Sequence, residues 1–177
     1  PLAIARTPLW RLPLAPMSTA EIMVIERELD SPHIARGLEI YWLTVMGMNI
    51  RVGIRRGSER GKPLLLLNGI GASLEVPETF INAMDDTEII IFDMPGAGKS
   101  DTPVLPWLMR QYARLTSKVL DQLGYDTVDV LGLSWGGALA QQFARQYPQR
   151  CRRLVLCATG SGSSMFPGRP RTLLKMM

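Results

Sequence analysis

The chain has 177 residues, of which 46% are hydrophobic and 20% charged, and its formal net charge is +4. This length fits one globular domain with a hydrophobic core, and because no apolar run approaches the roughly 20 residues of a membrane-spanning helix, we expect no membrane span. The basic residues are scattered apart from one cluster, which we interpret as the solvated face of a hairpin rather than a nucleic-acid site: Arg51, Arg55, Arg56, Arg60 and Lys62.

The first 36 residues come before the first predicted strand. Prolines at positions 1, 8, 13 and 16 would interrupt the apolar helix of a signal peptide, and no clear small-residue cleavage site accompanies them. We expect residues 1–36 to be a disordered or non-native segment. We also hypothesise that Met17 is the true start, which N-terminal sequencing of protein made from the native gene would test.

The predicted core, residues 37–158, opens with a β-hairpin. Residues 39–45 and 50–56 carry the aromatic and β-branched side chains typical of strands, and Gly47 between them supplies a turn. A glycine-containing loop over residues 57–63 then leads to the next element. The pattern therefore predicts two antiparallel strands at the start of the core.

The next predicted elements alternate between strand and helix. Leu64–Leu67 and residues 88–92 are short, continuous apolar runs, which suit strands buried on both faces of a sheet. The first is followed by a glycine-rich turn at residues 68–73 and a helix that we expect to end near Met84. The second ends at residues 93–100, a turn rich in glycine that we interpret as shaping the floor of a site.

A helix is predicted over residues 109–123, with Gly124 at its C-terminal cap, and a last strand over residues 153–158. Strands that alternate with helices after an opening hairpin predict an α/β fold with a mostly parallel sheet. The turn at residues 93–100 lacks the spacing of a phosphate-binding loop, so we expect no nucleotide there. We expect no cofactor.

The stretch between the helix at 109–123 and the last strand carries the chemistry. Residues 128–133 are an apolar strand, residues 137–147 a helix of small residues, and between them lies Gly-Leu-Ser-Trp-Gly, a G-x-S-x-G sequence centred on Ser134. In a nucleophile elbow this serine occupies a strained turn from strand to helix. We therefore predict that Ser134 is a nucleophile.

The donors of an oxyanion hole can also be predicted. The backbone N–H of Trp135 follows the nucleophile, and the second donor is expected from the turn after Leu67, at the N–H of Ile70. Asn68, Gly69 and Gly71 are expected to contact substrate, although a tight turn would use the two glycines equally well. Trp135 and Met165 are candidates to line an acyl pocket.

A general base and its acid are missing from the pattern. The single histidine, His33, lies before the first strand, and no Asp or Glu follows Asp129. In this arrangement the acid and the histidine follow the nucleophile in the chain, so His33 is expected to be a surface residue. We expect the 177-residue chain by itself to have negligible turnover and to be only marginally stable.

Two cysteines, Cys151 and Cys157, flank the last predicted strand. No second Cys or His pair accompanies them at a metal-binding spacing, so we expect free thiols, a reducing cytosol and no metal site. The tail after residue 158 is rich in glycine, serine and proline and then becomes apolar. Its end has the character of a cut rather than of a natural terminus.

Four stretches together carry a family resemblance: Leu-Asn-Gly-Ile-Gly-Ala at 67–72, Phe-Asp-Met-Pro-Gly-Ala-Gly at 92–98, the run at 132–144, and Met-Phe-Pro-Gly at 165–168. They resemble the intracellular medium-chain-length poly(3-hydroxyalkanoate) depolymerases, which are serine esterases of the α/β-hydrolase fold. The similarity runs from Glu39 to the end and covers the N-terminal half of such an enzyme, so that the fold would be cut before its last strands.

The resemblance implies that Ser134 attacks the ester of a stored 3-hydroxyacyl polymer and forms an acyl-enzyme. It implies that the catalytic Asp and His lie on later strands, that residues 159–177 begin a lid, and that the protein is cytoplasmic and meets the surface of a storage granule. Asn68 agrees with the depolymerases, whereas many α/β-hydrolases begin this loop with His-Gly. Polymer synthases of related fold place a cysteine at the elbow, so Ser134 favours hydrolysis.

Two alternatives stay open. One is another α/β-hydrolase activity, either a small-ester esterase or a C–C bond hydrolase. The other is a non-catalytic protein associated with the granule, which would have to explain why a strained serine turn persists without chemistry to perform. The oligomeric state and the preferred acyl chain length do not follow from the sequence.

Overall fold

The computed structural model describes residues 34–57, 62–84 and 86–161. Their elements are, in chain order, β1 Leu38–Val45, β2 Met48–Arg55, β3 Leu64–Leu67, α1 Glu78–Asn82, β4 Ile89–Phe92, α2 Met109–Gln122, β5 Val128–Leu133, α3 Trp135–Gln146 and β6 Cys151–Cys157. The predictions made for residues 1–33, for His33 and Arg60 and for Met165 lie outside the described residues, as does most of the segment 159–177.

The six strands form one sheet in the order β1-β2-β4-β3-β5-β6. β2 pairs antiparallel with β1 and β4, whereas the pairs of β3 with β4 and β5, and of β5 with β6, are parallel. The hairpin turns at Met46 and Gly47, which both have positive φ (53° and 78°), as a two-residue type I′ turn requires. The predicted mostly parallel sheet with an N-terminal hairpin is confirmed.

Helices cover the sheet on both faces. α2 and α3 pack on one face through buried side chains such as Leu115, Leu139 and Phe143, while Ile81 of α1 and Leu74 pack on the other. Every residue of β3 and β4 is buried. Because both faces of these central strands are covered, their sequences are continuous apolar runs rather than alternating ones.

Two helices differ from their predicted bounds. α1 ends at Asn82 rather than near Met84, because the N–H of Met84 bonds the Ile81 carbonyl (3.0 Å) in a tightened last turn. α3 begins at Trp135, before the predicted start at residue 137, although two glycines occupy its first turn. Tertiary contacts of those glycines outweigh their low helix propensity. α2 ends as predicted before Gly124, whose φ is +76°.

The predicted solvated face of the hairpin is wrong for two of its arginines. Arg51 is 0% exposed and Arg55 is 6% exposed. Both belong to β2, which has a strand on each side and covered faces, so their guanidinium groups must find partners inside the protein. Arg55 donates to the carbonyl oxygens of Ile81 in α1 and of Met84 and Thr87 in the segment that follows it.

β6 lies at one edge of the described sheet. Leu154, Val155 and Leu156 are 39%, 47% and 41% exposed, unlike the buried residues of the central strands. A register shift between β5 and β6 places Arg152 outside the regular pairing, where it bonds the carboxylate of Asp129. This strand carries the exposed apolar surface of the sheet.

Candidate active site

Ser134 occupies the turn between β5 and α3 at the carboxyl edge of the sheet. Its φ is 54° and its ψ is −117°, a backbone conformation that residues other than glycine rarely adopt. A methyl group on Gly132 would lie 2.5 Å from the Gly136 carbonyl oxygen, and one on Gly136 would lie 2.0 Å from the Leu67 carbonyl oxygen. The sharp turn therefore depends on both flanking glycines, as the G-x-S-x-G pattern predicts.

The turn is held from both sides by backbone hydrogen bonds. The Ser134 N–H donates to the carbonyl of Cys157 (2.9 Å), and the Ser134 carbonyl accepts from the N–H of Gly137 (2.9 Å). Ser134 itself is exposed. Trp135 is the first residue of α3, so its N–H has no acceptor within the helix and lies at the positive end of the helix dipole.

The turn after β3 lies beside Ser134. A methyl group on Gly69 would lie 3.9 Å from the Ser134 Cβ, an ordinary contact distance. Ile70 is 79% exposed, whereas Asn68 is 3% exposed and donates its side-chain amide to the Ser73 carbonyl at 2.9 Å. The structure thus brings together the predicted nucleophile and the loop expected to supply a donor. The roles of Trp135 and Ile70 as oxyanion donors, and the substrate contacts of Asn68, Gly69 and Gly71, stay predictions.

A cavity of about 500 Å³ opens next to this loop. Its walls come from three segments, which are the Gly69–Gly71 loop, the turn at Met94–Ala97 and the segment from Thr102 to Tyr112, and Trp135 closes one side. Trp135 lines this cavity and the turn after β4 forms part of it, whereas the roles expected of them, in an acyl pocket and at the floor of the site, stay predictions. An apolar lining of this kind suits an aliphatic group.

Two cavity residues were not found by sequence reasoning. The ring of Tyr112 packs edge-on against Trp107 and Trp135, with centroids 5.3 and 5.1 Å apart. A proline-rich and aromatic segment directly before a helix, at the carboxyl edge of the sheet, is the signal that could have pointed to Trp107. Tyr112 gives no such signal, because it has the spacing of an ordinary helix residue.

Asp93 is a third residue whose surroundings the sequence did not indicate. Its carboxylate is 0% exposed and accepts the N–H groups of Leu74 (2.7 Å) and Lys99 (2.8 Å). Arg51 approaches it to 3.5 Å. Burial raises the pKa of Asp93 above its ordinary value, whereas the two N–H groups and the Arg51 charge act to lower it. The carboxylate thus connects backbone from both sides of the cavity.

The described part of the chain gives three further findings, on metal sites, membrane-spanning helices and cysteines. No three Asp, Glu, His or Cys side chains lie close enough together there to hold a metal ion. None of its helices has both the length and the apolar character needed to cross a bilayer. Cys151 and Cys157 are both free, as predicted, and burial together with the Asp129 charge raises the pKa of the Cys151 thiol.

A family model for the alpha/beta hydrolase fold matches residues 62–174. The chain belongs to the α/β-hydrolase fold family. The elbow at Ser134 and the parallel strands that carry it are the parts of that fold described above. The predicted fold class is therefore confirmed.

Comparisons with individual members of the α/β-hydrolase fold family agree. The poly(3-hydroxyalkanoate) depolymerase of Ectopseudomonas oleovorans is 48% identical over 149 residues, which cover 84% of this chain and 51% of that protein. A 2-hydroxy-6-oxononadienedioate/2-hydroxy-6-oxononatrienedioate hydrolase of Paraburkholderia phymatum is 33% identical over 138 residues, covering 74% and 48%. The resemblance drawn from the four motifs is thus confirmed as a similarity along most of the chain.

A solved structure gives the same fold. Cfl2 from Burkholderia cenocepacia matches with a TM-score of 0.72 at 23% identity, covering 82% of this chain and 50% of that one. At this identity the match concerns the α/β-hydrolase fold alone. The chain spans about half the length of the curated relatives it matches.

Proposed function

We propose that the protein is a serine carboxylic ester hydrolase that depolymerises a stored poly(3-hydroxyalkanoate) in the cytoplasm. The observation that carries the proposal is the positive φ of Ser134, held between two glycines that admit no side chain. Strain of this kind persists where the surrounding structure over-determines it, typically at functional sites. The 48% identity to a poly(3-hydroxyalkanoate) depolymerase supports the choice of polyester as substrate.

The proposed reaction has two steps on Ser134. Its Oγ attacks the ester carbonyl and loses its proton to a base. The carbonyl oxygen becomes an oxyanion, which accepts hydrogen bonds from the N–H groups of Trp135 and Ile70. The C–O bond of the ester breaks, and the leaving alcohol takes up a proton. Water then attacks the acyl-enzyme, releases the acid and restores the hydroxyl.

The cavity supports the choice of an apolar acyl group. Trp107, Tyr112 and Trp135 offer an aromatic wall next to the Gly69–Gly71 loop, and such a wall favours an aliphatic side chain over a charged one. Because the chain supplies no Asp, Glu or His after Ser134, the activity is proposed for the protein at its natural length.

The test uses that protein on medium-chain polymer granules, with release of 3-hydroxy acids as the readout. We expect release by the parent and a loss on the order of 10⁴- to 10⁶-fold in the Ser134→Ala variant. A fluorophosphonate should label the parent once and leave Ser134→Ala unlabelled. The matched control is Ser117→Ala, since Ser117 lies on α2 and accepts a hydrogen bond from Arg150.

The alternatives have distinct outcomes in the same experiment. Hydrolysis of short nitrophenyl esters without release from polymer would indicate a small-ester esterase. Cleavage of a 2-hydroxy-6-oxo acid in place of either ester would indicate the activity named for the Paraburkholderia phymatum relative. The absence of both labelling and hydrolysis would support a non-catalytic protein and would overturn the proposal.

A further inference from the structure

Asp93 joins the two loops that face each other across the cavity. Its Oδ1 accepts the N–H of Leu74 (2.7 Å), in the segment that continues from the Gly69–Gly71 loop, and its Oδ2 accepts the N–H of Lys99 (2.8 Å), which follows the turn after β4. A methyl group on Gly98 would lie 2.1 Å from Oδ2, so the carboxylate packs directly against that turn. These bonds are shielded from water because Asp93 is 0% exposed.

Arg51 of β2 ties the same two segments to the sheet. Its Nη1 lies 2.6 Å from Oε1 of Glu75 and 3.5 Å from Oδ2 of Asp93. Its backbone N–H donates to the hydroxyl of Ser100 (2.9 Å). The strand, the segment after β3 and the turn after β4 therefore share one buried network, which fixes their relative positions.

We propose that Asp93 is a positioning residue for the reaction, because it holds the Gly69–Gly71 loop at the separation from Ser134 that an oxyanion requires. This inference rests on the proposed function for the roles of Ser134 and of the Ile70 N–H. Asp93 bonds Leu74 and Lys99 rather than the Ser134 turn, so its effect passes through the loop. A donor that is held too loosely stabilises the transition state less, while binding of the substrate is little affected. The loss therefore lowers kcat rather than raising KM.

The test compares three variants of the protein at its natural length. Asp93→Asn keeps the shape of the side chain but replaces one acceptor with a donor. Glu75→Ala removes a milder link of the same network, since the Glu75 side chain is 21% exposed, and remains informative if Asp93→Asn fails to fold. Asp129→Asn is the matched control, because Asp129 bonds Arg152 on β6 instead of a cavity loop.

Two readouts are measured on each variant. The first is kcat and KM on a soluble medium-chain 3-hydroxyacyl ester, with kcat divided by the number of sites that a fluorophosphonate labels, so that unfolded molecules are not counted. The second is hydrogen exchange at the Ala72 amide, which donates to the Gly69 carbonyl (3.2 Å) within the loop. A merely structural role would change the number of labelled sites and leave kcat per site unchanged.

For Asp93→Asn we expect kcat per labelled site to fall roughly 10- to 100-fold, with KM within about threefold of the parent. In Glu75→Ala the kcat per labelled site should fall less, and in Asp129→Asn it should equal that of the parent. Hydrogen exchange at the Ala72 amide should accelerate in Asp93→Asn and Glu75→Ala but not in Asp129→Asn. An unchanged kcat per site together with unchanged exchange overturns the inference while leaving the proposed function intact. A parent that neither hydrolyses nor labels overturns the proposed function, and the exchange data then still decide whether Asp93 holds the loop.

Discussion

Gly136 packs so closely against Leu67 that a methyl group on Gly136 would lie 2.0 Å from the Leu67 carbonyl oxygen. This contact joins the first turn of α3 to the end of β3. Since the Gly69–Gly71 loop begins just after β3 and Ser134 just precedes α3, the same contact sets the loop beside the serine. Close packing of two backbones thus builds the site.

Replacing Gly136 with alanine should therefore be severely destabilising. A backbone carbonyl at 2.0 Å cannot give way without moving β3, so we expect the free energy of unfolding to fall by about 3 kcal/mol or more. Gly69→Ala is the matched control, because its methyl group would meet nothing closer than 3.9 Å, and its effect should stay within about 1 kcal/mol. Urea unfolding of both variants measures the difference, and equal losses would contradict the packing argument.

The backbone strain at Ser134 has a measurable consequence for stability. Glycine adopts φ = 54° without the steric cost that a side chain carries, so Ser134→Gly should be more stable than Ser134→Ala by about 1 kcal/mol. Both variants lack the hydroxyl, so the comparison isolates the backbone. Thermal or urea unfolding decides the point, and a Ser134→Gly variant no more stable than Ser134→Ala would show that the turn stores no strain.

Arg55, the last residue of β2, and Arg56, which follows it, should differ sharply in how much stability their removal costs. Arg55→Met removes the guanidinium that donates to the carbonyl oxygens of Ile81, Met84 and Thr87, of which the first two keep a backbone N–H donor, and should reduce the free energy of unfolding by about 2 kcal/mol or more. Arg56 is a partly exposed partner of Glu88, 3.0 Å away, and Arg56→Met should cost about 1 kcal/mol or less. Urea unfolding of the two variants provides the comparison. Similar losses would mean that burial of Arg55 contributes nothing.

Tyr125, which is buried, and Tyr41, which is partly buried, should make the protein sensitive to alkaline pH. Burial, with the hydrogen bond to Glu39 and its charge, raises the pKa of Tyr41 to about 12, and burial with the hydrogen bond to Glu88 raises the pKa of Tyr125. The folded state then keeps phenol protons that the unfolded chain releases near pH 10, so the free energy of unfolding should fall as pH rises from about 10 towards 12.

Absorbance at 295 nm follows the phenolate and measures this titration directly. Tyr125→Phe removes one of the two groups, so its stability should fall less steeply with pH above about 10 than that of the parent. Below that pH both tyrosines are protonated in both states, and no pH dependence should come from them. A slope that is the same in parent and variant would sink this prediction.

Much of the fold followed from sequence because its signals are local. Continuous apolar runs marked the buried strands β3 and β4, Gly47 marked the hairpin turn, and G-x-S-x-G between strand and helix marked the turn at Ser134. Each of these reflects a constraint that neighbouring residues impose on one another, such as burial on both faces or a positive φ. Such constraints can be recognised without knowing what packs against them.

Partners distant in the chain were decided by the tertiary structure alone. Arg51 and Arg55 have the sequence pattern of solvated residues, yet strands on both sides of β2 enclose them, and burial obliges each charge to find Asp93, Glu75 or a helix end. The aromatic contacts of Tyr112 arise in the same way, from the packing of α2 beside α3. Sequence identifies the apolar positions that avoid water, whereas only the folded arrangement determines which charged residues are enclosed and which polar group each of them reaches.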